Sequence, residues 1–217
     1  LYKGRMEAEL EALRVRPIEK REEGRYRELM AQHHYLGDLA KIGHTLWYVA
    51  ACGEDWAALL SFSAAAWKCG VRDRWIGWDF RHQYDRLGLI ANNSRFLILP
   101  DWHRPNLGSK VLSLCQERIV ADWQDRFGKR LLVLETFVDP SRFQGTVYRA
   151  ANGTCRGRTQ GFRRTRTGYT AHSESPKLVF VRPLQRGMRG YKAIAAWAKD
   201  LKPRARERFG CRREQGI

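Results

Sequence analysis

The sequence predicts an α/β (α+β) domain built on a mixed β-sheet flanked by helices, followed by a basic C-terminal extension. Three observations predict it. The stretch from Asn93 to Asn152 reads strand, tight loop, long helix, strand, short helix, and a crossover helix of that kind implies a parallel or splayed strand pair. Upstream, the apolar runs Thr45–Cys52 and Trp56–Ser63 flank Gly53-Glu54-Asp55, a hairpin signal. Hydrophobic content is 43% over 217 residues, ordinary for a globular chain and enough for one core.

In chain order, Lys3 to Leu13 reads as a short polar helix and Val15 to Ile18 as a short strand. Glu23 to Tyr35 is helical, with Tyr26, Leu29, Met30 and His33 on one side, and Tyr35-Leu36-Gly37 ends it. After the hairpin, Arg72 to Tyr84 mixes charges and tryptophans and is read as irregular. Arg95 to Leu99 is a strand stopped by Pro100, and Asp101 to Pro105 is a turn. Leu107 to Phe127 is a helix, since Leu112, Cys115, Ile119, Trp123 and Phe127 recur at steps of three and four. Leu131 to Val138 is a strand, apolar except for Glu135 and Thr136. Asp139-Pro140 opens a further helix, because Asp suits the cap and Pro the first helical position. Asn152-Gly153 ends it. A basic stretch from Arg156 to Tyr169, a strand from Lys177 to Val181 and a basic tail complete the chain. The expected division is an N-terminal helix (1–14), one domain (15–184) and the tail (185–217).

Charge narrows the function. The formal net charge is +17, and residues 156–217 hold 17 Lys or Arg against 4 Asp or Glu, a net +13. Such an excess attracts polyanions, nucleic acid first and acidic membranes or acidic proteins second; the expected partner is nucleic acid, DNA more than RNA. No apolar run approaches the roughly 20 residues a membrane helix needs. The chain begins Leu1-Tyr2-Lys3 without a signal-peptide pattern. Its five cysteines are scattered with no CxxC spacing, which fits a reducing compartment and argues against a disulfide framework or zinc ribbon. The expectation is a cytoplasmic protein with no membrane partner.

The element order resembles that of the GNAT acyltransferase superfamily over about Val15 to Val181. In that superfamily the fourth strand leads through a pyrophosphate-binding loop into the long central helix. The fifth strand splays from the fourth, and the next helix often carries a tyrosine that acts as general acid. The matching elements are Arg95–Leu99, Leu107–Phe127 and Tyr148 in Gly145-Thr146-Val147-Tyr148-Arg149-Ala150-Ala151-Asn152. The resemblance implies an acyl-CoA on the turn that includes Leu99, Arg104, Gly108, Ser109 and Lys110. The superfamily's loop is Gly-rich. Here Arg104-Pro105-Asn106-Leu107-Gly108-Ser109 keeps one glycine and adds a proline, which removes a backbone donor.

Several short words resemble the DruA-type family of the Druantia anti-phage system and of mobile-element neighbourhoods. They are His34-Tyr35-Leu36-Gly37, Ser63-Ala64-Ala65-Ala66-Trp67-Lys68, Arg72-Asp73-Arg74-Trp75-Ile76-Gly77-Trp78, Asn93 to Pro100, Glu135-Thr136-Phe137-Val138-Asp139 and the Gly145–Asn152 segment. They cover about Val15 to Leu184. A departure is Asn152-Gly153-Thr154, where the family usually has tryptophan after the asparagine. The resemblance implies a setting in defence or mobile DNA, among other defence-system or transposon proteins, and no mechanism.

The candidate site residues carry two readings each. Glu135 shares a strand face with Leu131, Val133 and Phe137. It is a general base or amine anchor, or it pairs with Arg95 or Arg72. Tyr148 is a general acid or a buried aromatic. Arg72 and Arg74, with Trp75, stack on and pair with a base or phosphate, or Arg72 and Asp73 form an internal clamp. Arg95 belongs to the same cleft. Arg104, Ser109 and Lys110 flank a helix start suited to anions. Arg156, Arg158, Arg163, Arg164 and Arg166, interleaved with Phe162 and Tyr169, form a stripe for nucleic acid. No metal site is assigned, because His33 and His34 face different sides and His44, His82 and His103 have no partner at ligand spacing. The leading function is a nucleic-acid-binding component of a prokaryotic anti-phage system or mobile element. The alternatives are an acyl-CoA-dependent N-acyltransferase and a metal-dependent DNA nuclease or nickase using Asp73, Asp79, Glu135 and His34.

Overall fold

Two strands apolar on both faces set the layering. β2 (Thr45–Cys52) and β3 (Asp55–Ala64) form the expected hairpin. Along β2, Leu46, Tyr48 and Ala50 enter one core cluster while Trp47, Val49 and Ala51 enter another. A sheet buried on both faces needs cover on both. The structure is a computed structural model, and it describes residues 8–38, 40–79, 82–161, 163–165, 168–170 and 175–184.

The remaining strands are β1 (Arg14–Pro17), β4 (Ile90–Ile98), β5 (Val133–Val138), β6 (Thr154–Arg158), β7 (Arg163–Thr165), β8 (Gly168–Thr170) and β9 (Leu178–Pro183). Residues 8–12 are helical, and the helices that follow, numbered here in chain order, are α1 (Glu23–His33), α2 (Gly70–Ile76), α3 (His82–Asp85), α4 (Leu107–Phe127) and α5 (Thr146–Ala150). Seven strands make one mixed sheet in the order β1-β2-β3-β4-β5-β9-β6, and β7 and β8 pair separately. On one face, α4 buries Leu107, Val111, Leu112, Cys115, Ile119 and Trp123 against Leu46, Tyr48 and Phe62. On the other, α1 buries Tyr26 and Met30 against Trp47, Leu59 and Leu97. Beside it, Ile76 of α2 packs with Ile90, Val133, Val179 and Val181.

Two local expectations change. The helix expected from Asp139 onward starts only at Thr146, after Gly145 at φ 71°. Asp139 instead accepts hydrogen bonds from the Ser141 N–H at 3.0 Å and hydroxyl at 2.7 Å, a local turn that competes with helix. Its expected end at Asn152 holds, with φ 62° there. The stretch read as irregular opens with α2, which the charge-rich sequence disguised because two of its charges, Arg72 and Asp73, point inward.

Candidate functional site

The site lies where β4 and β5 part. They pair in parallel over only three positions, Ile90↔Val133, Ala91↔Leu134 and Asn92↔Glu135. Just beyond, the β3–β4 register slips, with Ser61↔Arg95 followed by Phe62↔Asn93. A bulge at Ser94 of this kind bends a strand. From there β4 follows β3 while β5 follows β9.

Asn93 organises the gap. Its Nδ2 donates to the carbonyls of Ser61 at 3.1 Å and Arg95 at 3.0 Å, and its Oδ1 accepts from the Tyr148 hydroxyl at 2.9 Å. Thr136 Oγ1 donates to the Asn93 carbonyl at 3.1 Å. The Tyr148 ring sits between Phe96 and Phe180, with centroids at 6.5 and 5.8 Å. Burial pushes its pKa up to about 12, so the hydroxyl stays a donor. The cavity left among Asn93, Gln116, Thr136, Tyr148 and Phe180 is about 30 Å³, room for about two waters.

Glu135 and Arg72 form a buried ion cluster. Arg72 is fully buried and Glu135 is 3% exposed. Arg72 Nη1 donates to Glu135 Oε2 at 2.8 Å, Nε to Asp73 Oδ1 at 2.8 Å and Nη2 to the Trp67 carbonyl at 3.1 Å. Asp73 Oδ2 accepts from the Cys69 N–H at 2.9 Å. The partner of Glu135 is therefore Arg72 and not Arg95. Burial pushes the Glu135 carboxyl up and Arg72 draws it back. The expectation that Arg72 touches nucleic acid is corrected, because its donors are enclosed and used internally. Asp73 and Glu135 are likewise committed to Arg72. Among the described residues, no group of three or more His, Cys, Asp or Glu is placed to hold a metal ion.

The turn before α4 is closed on itself. Leu99 is buried, and its N–H donates to Ala57. Arg104 donates to the Asp101 carbonyl at 2.8 Å and lies 3.5 Å from a Glu9 carboxylate oxygen. Ser109 Oγ donates to the Asn106 carbonyl at 3.0 Å. Lys110 is exposed, with Glu11 in the wall of the same open hollow of about 320 Å³. Gly108 belongs to the turn on which the resemblance implies a coenzyme. A Cβ there would meet Val147 Cγ2 at 2.7 Å and Ile98 Cδ1 at 3.2 Å, so this glycine lets α4 approach α5 and β4. Pro105 lacks an N–H, which leaves the turn one backbone donor short, while Asn106, Ser109 and Lys110 line the open hollow.

The basic edge is elsewhere. β6 is the terminal strand of the sheet among the described residues, and its exposure alternates so that Thr154, Arg156 and Arg158 face out. The Arg156 guanidinium lies 5.0 Å over the Trp75 ring. Arg74 is exposed on α2, which packs against β6 closely enough that a Cβ at Gly157 would sit 3.3 Å from Val71. Arg95, half-buried on β4 three strands away, donates Nε to the Gly37 carbonyl at 3.2 Å and Nη1 to that of Ser94 at 2.8 Å. The side chains of Arg163 and Arg164 in β7, together with Arg166 and the tail from residue 185, lie outside the described residues.

Sequence reasoning missed two features. Asn93, the partner of Tyr148, carried no local signal. Tyr35, Arg142 and Phe143 come together from two loops, with the Tyr35 and Phe143 centroids 5.4 Å apart. Their signal was apolar side chains in turns that have no periodic face to bury them.

The family model described as Druantia protein DruA matches residues 5–210, a span that takes in most of the basic tail. No curated protein matches the chain. Among solved structures, the aminoglycoside acetyltransferase AAC(6')-Ib in complex with paromomycin and acetyl-CoA aligns at TM-score 0.52 and 12% identity, covering 79% of this chain and 93% of that one. The ribosomal-protein-S18-alanine N-acetyltransferase from Escherichia coli gives 0.49 and 12%, covering 82% and 97%. A GNAT-family acetyltransferase from Streptococcus pneumoniae gives 0.48 and 16%, covering 80% and 99%. Identities this low speak for fold alone, and the fold is GNAT-like.

Proposed function

The chain belongs to the Druantia DruA family, and from that membership we propose that it is a nucleic-acid-binding component of Druantia anti-phage defence, with DNA its main partner and other defence proteins around it. The observation that supports this reading is the β6 edge. There Arg74, Arg156 and Arg158 stand exposed together, one of them stacked on Trp75, within a chain of net charge +17. Phosphate contacts need only positive charge in reach, and they supply most of the affinity. The acyltransferase alternative asks for a coenzyme on a turn that Pro105 leaves one backbone donor short. Tyr148 and Glu135, its acid and base, are engaged by Asn93 and Arg72.

The test is fluorescence anisotropy on a labelled duplex from about 50 to 200 mM salt. Replacing Arg74, Arg156 and Arg158 together by glutamine is expected to lower affinity across sequences and to reduce the log–log salt slope by about 1 per lost phosphate contact. Unchanged affinity and slope would sink the proposal.

A further inference from the structure

We propose that Tyr35 and Phe143, with Arg142 and Arg95 around them, form a platform for an unpaired base of a single-stranded nucleic acid. The proposal rests on the nucleic-acid reading above and names the strand form taken at this second surface.

Two loops build the platform at the open end of the β4–β5 gap. Tyr35 follows α1, and Arg142 and Phe143 follow β5. Tyr35 is 43% exposed, Leu36 53% and Phe143 50%, an unusual grouping of large apolar side chains left in water. The Tyr35 and Phe143 rings are 5.4 Å apart at 57°, and His34 stacks on Tyr35 at 4.9 Å. The Arg142 guanidinium lies 5.0 Å from the Tyr35 ring. Arg95 anchors the same loop from beneath through Gly37. Asp38, held by Arg27 at 2.7 Å, acts on Arg95 through space, and Arg95 donates from Nε to Gly37 and from Nη1 to Ser94. His34 Nδ1 accepts from the Leu36 N–H at 3.1 Å, which leaves Nε2–H as a fixed donor. Burial and the nearby Arg95 hold its pKa down to about 4, so the ring is neutral.

Each part has a use. Exposed rings with a guanidinium alongside stack on bases whatever their sequence. The guanidiniums of Arg95 and Arg142 answer the flanking phosphates, and a neutral histidine offers a donor to a base edge. Asp38 acts on Arg95 and Asp139 on Arg142, so the exposed rings carry the recognition of the base and the guanidiniums serve as local phosphate contacts. A duplex keeps its bases stacked inside and has no ring face to offer.

The experiment compares oligothymidine and an abasic oligomer, both ~15 nucleotides long, a length at the upper end of known single-strand sites. The two carry the same phosphates and differ only in bases. The wild-type chain is expected to bind the base-bearing strand about 10-fold or more tightly than the abasic one. Tyr35→Ala/Phe143→Ala is expected to erase that difference while leaving duplex affinity and its salt slope unchanged, and Tyr35→Trp is expected to retain it. Equal wild-type affinities for the two oligomers overturn the proposal, as does a difference that survives in the double variant. Loss of concentration-dependent self-association in the double variant, with oligomer binding unchanged, assigns the patch to a second copy and also overturns it. Failure of the broader reading looks different: there, neutralising Arg74, Arg156 and Arg158 leaves duplex binding untouched.

Discussion

Arg72→Met separates structure from function at the buried ion cluster. The substitution keeps the volume of the stem and removes the cation bonded to both Asp73 and Glu135. Two carboxylates are then left without that partner in a region closed to solvent. Breaking a buried pair from one side costs about 3–5 kcal/mol. Asp73 keeps the Cys69 N–H, which holds the expected loss toward the lower end, about 3 kcal/mol at pH 7. Urea unfolding followed by tryptophan fluorescence measures it, with Trp75 and Trp78 on the same segment. The sign of the pH dependence follows from Glu135. Its folded pKa is raised by burial and lowered by Arg72, so removing Arg72 raises it further. A carboxyl that binds its proton more tightly when folded favours folding at acid pH. That contribution is withdrawn as pH climbs from the unfolded value through the raised folded one. The variant is therefore expected to lose least near pH 4 and most at neutrality. Arg72→Met/Glu135→Leu, which removes both charges, is expected to recover much of the loss. A destabilisation below about 1 kcal/mol, the range of exposed pairs, would refute the reasoning, as would a loss of DNA affinity in a fully folded Arg72→Lys.

Three other outcomes are expected. Gly108→Ala should cost about 1–3 kcal/mol through overpacking against Val147, and Gly108→Ala/Val147→Ala should restore most of it; a double variant no better than the single would show that the glycine serves something other than packing. Calorimetry with acetyl-CoA at moderate salt should give no saturable heat if nucleic acid is the ligand, and one-site binding near micromolar would favour the acyltransferase alternative. The Arg16 hydrogen bond holds Glu22 down to about 2, so this pair supports folding above pH 4.5 and loses that support as pH falls toward 2. The pair is partly exposed, so the amount is below about 1 kcal/mol. Glu22→Gln should flatten that part of the acid unfolding curve, and an unchanged acid limb would count against it.

Local physics was legible and tertiary partnership was not. Leu107 to Phe127 was bounded correctly because its apolar period runs unbroken to Gly128, which takes the left-handed cap. The hairpin was readable because its turn and two apolar runs are contiguous. Period-two counting put Glu135 on the face of Val133 and Phe137, and both sit in the cluster next to α2. Its partner was 63 residues away, and nothing local distinguished Arg72 from Arg95. Gly108 and Arg104 looked like ligand residues by analogy. Only folding brings Val147 against the one and Asp101 and Glu9 against the other. Asp139-Pro140 was misread because the carboxylate found Ser141 first.

Among the described residues, β6 ends the sheet on the side opposite β1. A terminal strand presents a row of unpaired backbone groups that would template pairing with another chain. On β6 that row is interrupted by a register slip between Cys155 and Gly157 and guarded by Arg156 and Arg158. The two charges therefore keep neighbouring molecules of this chain from zipping together edge to edge, whatever else they hold. If the proposed polyanion neutralises them, the repulsion between copies falls at that edge.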